Sequence, residues 1–241
     1  MVTHSTLNNL HFVNSMGFHT KVTDSQNVVV ERLTITAPGD SPNTDGIHLS
    51  KAKNITVSNL VIGTGDDCVS IGHGVVDSLI TGVTCGPGHG LSVGSLGKRD
   101  NEMNLSGIKV INCTITKATN GVRIKTFADS PELQATGIIF QDIIMNEVAN
   151  PIIIDQHYHS SAKKESNVKL SDIHFINISG TTVTPDAIQL DCSKTHPCDK
   201  VELANIDLQP AGNAKTLTAT CANAATTIKG TTNPPMPESC S

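Results

Sequence analysis

At 241 residues and a formal net charge of −5, the chain is long enough for one sizeable domain and lacks the basic surface that a nucleic-acid partner requires. Hydrophobic residues make up 37% and charged residues 16%, too apolar for disorder and too weakly charged for a coiled coil. No run of about 18 apolar residues is present, so no membrane partner is expected, and with no Trp, one Tyr and five Phe the core must come from Ile, Val and Leu, which favours strands.

The opening residues, Met-Val-Thr-His-Ser, hold neither a basic nor an apolar stretch, so no signal peptide is visible. A repeating pattern then begins at Leu10-His-Phe12-Val-Asn14. It recurs from Val28, Ile55, Ser78, Ile108, Ile138, Ile173 and Val201, at intervals of 18 to 35 residues. A repeat of that length reads as a solenoid. In each unit apolar residues alternate, pause and alternate again, which predicts two short strands around a sharp turn. The turn position is held by Asn14, Asn59, Asn112, Asn177 and Asn205, with Asp142 as a substitute. Asn tolerates the left-handed conformation, and its amides can hydrogen-bond up and down a stack. Helical spacing is nowhere sustained. The expected fold is all-β, a right-handed parallel β-helix of about eight coils, since the consensus of the rival leucine-rich horseshoe is absent. Residues 1–209 form the solenoid. Residues 210–241, rich in Ala, Thr and Asn, are expected to cap it as loop or weak strand.

Each unit carries a further strand, seen in Gly46-Ile-His-Leu-Ser50, Cys68-Val-Ser-Ile-Gly72, Gly90-Leu-Ser-Val-Gly94 and Gly121-Val-Arg-Ile-Lys125. Period two turns Ile47, Leu49, Val69, Ile71, Leu91, Val93, Val122 and Ile124 inward. It turns His48, Ser70, Ser92, Arg123 and Lys125 outward. Ser70, Gly72, Ser92 and Gly94 are small, so the middle of that outer face is a trough. The residues opening these strands, Asp45, Asp67, His89, Asn120 and Asn150, stack about 5 Å apart, with Asp66 one residue earlier.

Such a stack could be no more than a ladder of solvated turn residues. That reading leaves the cationic pair and the floor of small residues unaccounted for. Three close carboxylates cannot all ionise cheaply, so at least one is expected to hold its proton. A protonated acid beside an ionised base is what glycosidic hydrolysis needs. Arg123 and Lys125 favour an anionic ligand, and an acidic sugar polymer meets both demands. Metal binding by Asp45, Asp66, Asp67 and His89 is the competing reading, which the two adjacent cations disfavour.

Asn43-Thr44-Asp45, Gly65-Asp66-Asp67-Cys68, Gly88-His89-Gly90 and Arg123-Ile124-Lys125 stand in the order and spacing of the polygalacturonases, the pectin-hydrolysing glycosidase family, which the chain resembles from about Leu10 to Leu208. Ser41-Pro42 and the stretch around Ser95-Leu96-Gly97 look like the plant branch, particularly its exo-acting pollen-type members. The resemblance implies inverting hydrolysis of α-1,4-linked galacturonan, without metal or other cofactor, by a secreted cell-wall enzyme acting as a monomer. It implies Asp66 as general acid, Asp45 and Asp67 as the pair that holds and deprotonates water, and His89 as the support of the acid. Arg123, Lys125 and Tyr158 are implied as substrate contacts. Asn43, from its motif, and His48, which faces the trough, join them. A catalytically inactive pectin-binding β-helix fragment is the alternative from another class, and a β-helix lyase the alternative enzyme. Two departures stand out. His159 follows Tyr158 where plant relatives usually carry a cysteine. Early coils are also lacking, so the chain is expected to be truncated at its N-terminus, with Leu7, Leu10 and Phe12 near an open end.

Seven cysteines suit three bridges and one thiol. Cys68 and Cys85, at the ends of adjacent coil segments, would brace the loop carrying Asp66 and Asp67. Cys192–Cys198 would close a short loop, and Cys221–Cys240 would tie down the tail. Cys113 points inward and is expected to be a buried thiol. Lys98 and Arg99 offer an extension of the cationic rim but read in preference as a solvated loop, and His19 reads as a surface histidine.

Overall fold

Alternating aliphatic residues, interrupted at regular points by residues that accept a left-handed backbone, wind the chain into a stack of coils. The computed structural model describes residues 1–160 and 164–240. Its strands pair only in parallel, each with the strand one coil before and one coil after. Three parallel sheets result, one on each side of a prism, which is the parallel β-helix.

The first sheet carries the site. Among the described residues it stacks eight strands, in which Thr20, Ile47, Val69, Leu91, Val122, Ile152 and Ile188 are successive register partners and Ala219 follows. The second sheet runs through Val30, Val57, Ile80, Val110, Phe140, Phe175 and Leu203. The third runs through Phe12, Ile35, Ile62, Cys85, Ile115 and Met145.

Between the second and third sheets lies a column of positive-φ residues: Asn9, Arg32, Asn59, Gly82, Asn112, Asp142, Asn177 and Asn205. Its amides bond along the stack, Asn205 Nδ2 to Asn177 Oδ1 at 3.1 Å and Asn177 Nδ2 to Asp142 Oδ1 at 2.9 Å. The column corrects the first repeat. Leu7, not Phe12, pairs with Val30, so the first unit starts at Ser5 and its turn residue is Asn9. Asn14 is also left-handed but lies beyond the third sheet. The stretch from Leu10 satisfies the same alternation, because successive strands of one coil share it.

The eight aliphatic residues expected to point inward are all at most 1% exposed. Phe140 and Phe175 stack in the core at 5.5 Å. Past Pro210 the chain adds the strands Thr218–Ala222 and Ala224–Asn233 to the stack and ends in the 3-10 turn Glu238–Cys240. Cys68–Cys85, Cys192–Cys198 and Cys221–Cys240 are disulfides, and Cys113 is a buried free thiol. No helix of the described residues is long and apolar enough to cross a membrane.

Candidate active site

On the outer face of the first sheet, Asp45 and Asp67 each stand two residues before the register partners Ile47 and Val69, so they occupy equivalent places on adjacent rungs. His89 follows on the next rung, before Leu91. The loop geometry is set by glycines. A Cβ at Gly65 would lie 2.1 Å from the Ser41 carbonyl oxygen, and one at Gly88 2.7 Å from that of Asp66. The Asp66-Asp67 turn is pinned by the disulfide that follows it and by the Asp67 N–H, which donates to Asp66 Oδ1 at 2.8 Å.

These residues open onto a cleft of about 530 Å³. Asp45, Asp66, Asp67, Asn43, His48, Lys125 and Tyr158 all line it. His89 and Arg123 do not. His89 stands at the rim with Nδ1 3.1 Å from Asp66 Oδ1. Arg123 lies behind Asp67 and lines a separate groove with Asn150, Asp155 and Gln189.

The two expected substrate cations are both engaged by the protein. Arg123 Nη2 and Lys125 Nζ donate to the two oxygens of Asp67, each at 2.8 Å, and Ser92 Oγ adds a bond to Oδ1 at 2.7 Å. Asp67 is buried, so without these partners its charge would carry a heavy desolvation cost. Asp45 is equally buried but has no cation in contact. Its Oδ2 accepts one bond, from Ser70 Oγ at 2.6 Å. Burial, reinforced by the charges of Asp67 and Asp66, pushes its carboxyl up to about 7. Asp66, expected to be the protonated member, differs. Burial pushes it up, but bonds from His89 and the Asp67 N–H, aided by nearby positive charge, outweigh that and hold it below the usual carboxylate range. The raised acid of the free site is therefore Asp45.

Four lining residues were not assigned to the site from the sequence. Phe18 stacks flat on His48 at 4.8 Å. Phe127 meets Tyr158 edge-on at 5.5 Å, and His159 packs against both. Lys98, read as part of a solvated loop, lines the cleft with Nζ 5.6 Å from the Phe127 ring centroid. Its backbone N–H donates to Glu102 Oε1 at 3.1 Å, but among the described residues its ammonium has no carboxylate within ion-pair distance. Phe127 had a signal in parity, since it continues the outward alternation of Arg123 and Lys125, and Lys98 had one in its charge beside Arg99.

Two clusters have donor atoms close enough for a metal, Asp66-Asp67-His89 and Asp155-His157-Asp191, each within 4.8 Å. In the first, Asp67 is already occupied by two cations. In the second, Asp155 Oδ1 accepts the His157 N–H at 2.9 Å and His157 Nδ1 faces Asp191 at 3.0 Å. Neither donor set is arranged for a cation in preference to these partners.

The profile of the family described as Glycosyl hydrolases family 28 matches residues 1–231. The chain is 50% identical over 222 residues to a polygalacturonase of Medicago sativa, covering 90% of this chain and 52% of that protein. It is 48% identical over 233 residues to an exopolygalacturonase of Oenothera organensis, covering 95% and 64%. It thus spans between half and two thirds of the length of these curated relatives. Among solved structures, a polygalacturonase from Erwinia carotovora superposes with a TM-score of 0.72 at 27% identity, covering 92% of this chain and 57% of that one.

Proposed function

Since the chain belongs to glycosyl hydrolases family 28, we propose that it hydrolyses α-1,4-galacturonosidic bonds of polygalacturonate with inversion, acting from a chain end. The observation that carries this reading is the convergence of Asp45, Asp66 and Asp67 on one cleft that also holds Lys125 and the uncompensated Lys98. An acidic sugar polymer suits that combination: carboxylates for the proton transfers, cations for the uronate groups. The exo assignment leans on the relative named exopolygalacturonase.

In this reading Asp45 and Asp67 hold the attacking water between adjacent rungs, and Asp45 takes its proton. Asp66 protonates the departing oxygen. Both of its hydrogen bonds fall on Oδ1, which leaves Oδ2 for the substrate. In the free site Asp66 is held low. A sugar laid over this half-buried carboxyl would extend the desolvation that already pushes it up, which is how it would gain the proton it donates. Tyr158 and Phe127 offer an aromatic wall for a sugar ring, and Lys98 a charge for its carboxylate. His89 positions Asp66. Asn43, exposed on the lining, offers an amide to hydroxyls. The three disulfides fit an oxidising location such as the cell wall. The working unit is taken to be the monomer.

The test is incubation with polygalacturonate and with a defined galacturonan oligomer. New reducing ends without unsaturated product, with the β-anomer appearing first by NMR, are expected. Absorbance from a new double bond would mean a lyase, and binding without product a pectin-binding module. Monomer as the only released product means exo action, whereas mixed oligomers mean endo.

A further inference from the structure

Behind Asp45 the fold builds a polar chain that the acid–base roles leave unused. Ser70 and His48 are register partners on neighbouring rungs, both on the outer face of the first sheet. Ser70 is buried, and its Oγ lies 2.6 Å from Asp45 Oδ2 and 2.8 Å from His48 Nδ1. A hydroxyl has one hydrogen. If Ser70 donates it to Asp45, the bond to His48 must run the other way, with Nδ1–H donating to Ser70 Oγ. For an ionised Asp45 this fixes the tautomer of His48. The ring plane is fixed by Phe18, whose ring lies parallel to it within 8°. Burial, with the charge of Lys21 next in importance, pushes the imidazole down to about 4, so it is neutral across the range in which a carboxyl such as Asp45 titrates.

The other groups facing Asp45 are the carboxylates of Asp66 and Asp67 from the next coil and the Lys125 ammonium from the coil that carries Arg123. His19, from the coil before, meets Asp45 at its backbone oxygen, through its own N–H at 2.9 Å and its ring Nδ1 at 3.2 Å, while its Nε2 accepts the Ser15 N–H at 3.3 Å. Lys21, the register partner of His48 on the coil before, and His73 bear on the His48 imidazole. Ser70 is thus the side-chain donor that touches the Asp45 carboxylate directly.

The geometry points to His48 and Ser70 as positioning residues for proton transfer: a donor chain, His48 Nδ1–H to Ser70 Oγ–H to Asp45 Oδ2, that favours the ionised form of Asp45 and keeps its other oxygen for water. The chain exchanges no proton itself. Each donor polarises the next toward the carboxylate, so the ionised form receives a charge-assisted bond; a protonated Asp45 would reverse both bonds, which are then neutral and weaker. Phe18 contributes by holding the imidazole in the plane that aims Nδ1 at Ser70. This rests on the proposed role of Asp45 as base.

The experiment is the pH profile of kcat/KM on polygalacturonate; because Asp45 lies above Asp66 in the free site, its ionisation sets the alkaline limb. Ser70→Ala should move that limb to higher pH by about one unit. His48→Ala should move it the same way by less. His48→Asn, which keeps an N–H donor near the Nδ1 position, should move it least. The Asp45 carboxyl titration, followed by 13C NMR in the same variants, should shift in the same order even where turnover is too low to measure. A limb and a carboxyl titration both unmoved in Ser70→Ala, with Asp45→Asn inactive, would overturn the donor chain and leave the role of Asp45 standing. Near-normal turnover in Asp45→Asn would instead remove Asp45 from proton transfer, and the donor chain with it.

Discussion

Asp45 and Asp67 sit at equivalent places on adjacent rungs, both buried, both opening onto the same cleft. Their surroundings have little in common. Asp67 is gripped by a guanidinium, an ammonium and a hydroxyl. Asp45 has a hydroxyl alone, and burial drives its carboxyl up to about 7. The stack thus repeats geometry without repeating electrostatics. What distinguishes the two is which long side chains from later coils can reach them. Arg123 and Lys125 extend back to Asp67 but stop short of Asp45. A solenoid can in this way give chemically unlike roles to residues that its backbone treats alike.

Several substitutions bear on that contrast, and the largest effect is expected between the two rungs. Asp66→Asn should lower kcat by about 10³-fold with KM nearly unchanged, the scale of a lost general acid. An aryl galacturonide with a nitrophenolate leaving group should restore most of the loss, since it needs no proton. Rescue of Asp45→Asn in place of Asp66→Asn would exchange their roles.

Next comes the grip on Asp67. Lys125→Met removes one of two cations from a buried carboxylate and should cost about 3–5 kcal/mol in unfolding measurements. A loss under 1 kcal/mol would mean that Arg123 alone suffices.

The pH dependence of stability separates Asp45 from its neighbour His48. Asp45 is raised from its ordinary 3.8 to about 7, so its protonated form stabilises the fold at low pH, and this contribution is lost as pH rises through about 7. His48 is lowered from 6.5 to about 4, so its neutral ring stabilises above about 6.5, and this contribution is lost as pH falls through about 4. The two slopes oppose each other in the native protein. In His48→Asn, Tm should fall by roughly 5–10 °C between pH 4 and 7. In Asp45→Asn it should rise over the same interval. Parallel Tm curves in the two variants would contradict both shifts.

The smallest effect belongs to the rim. Lys98→Ala should raise KM for polygalacturonate severalfold and leave kcat alone, with the difference fading at high salt, as for an exposed charge. A KM independent of the substitution at low salt would place Lys98 outside the path of the substrate.

How far the sequence carried differs by kind of feature. Parity within a strand placed Ile47, Val69, Leu91 and Val122 in the core, because a one-residue slip would reverse every side chain. The turn column was legible because Asn is so often the residue chosen for a left-handed backbone. It failed at Asn14, where a second left-handed Asn ends a strand with the same alternation. The carboxylates could be gathered from strand order alone. Which of them holds a proton could not, since three aspartates look identical until the reach of His89, Arg123 and Lys125 is known. Phe18 went unnoticed and Lys98 was assigned to solvent for a related reason: they come from connecting segments, whose direction no periodicity specifies.

The coils differ greatly in length while their rungs do not. The path from Ile47 to Val69 is much shorter than that from Leu91 to Val122, yet both pairs are register partners one rung apart. Most of the extra chain is discharged at the corners, and only short register shifts, such as the one after Lys125, enter the sheets. In evolutionary terms the floor of the cleft and its walls are separable inheritances. Mutation can lengthen, shorten or exchange the segments bearing Phe18 or Lys98, and so recast which polymers are admitted, while the aspartates below keep their spacing.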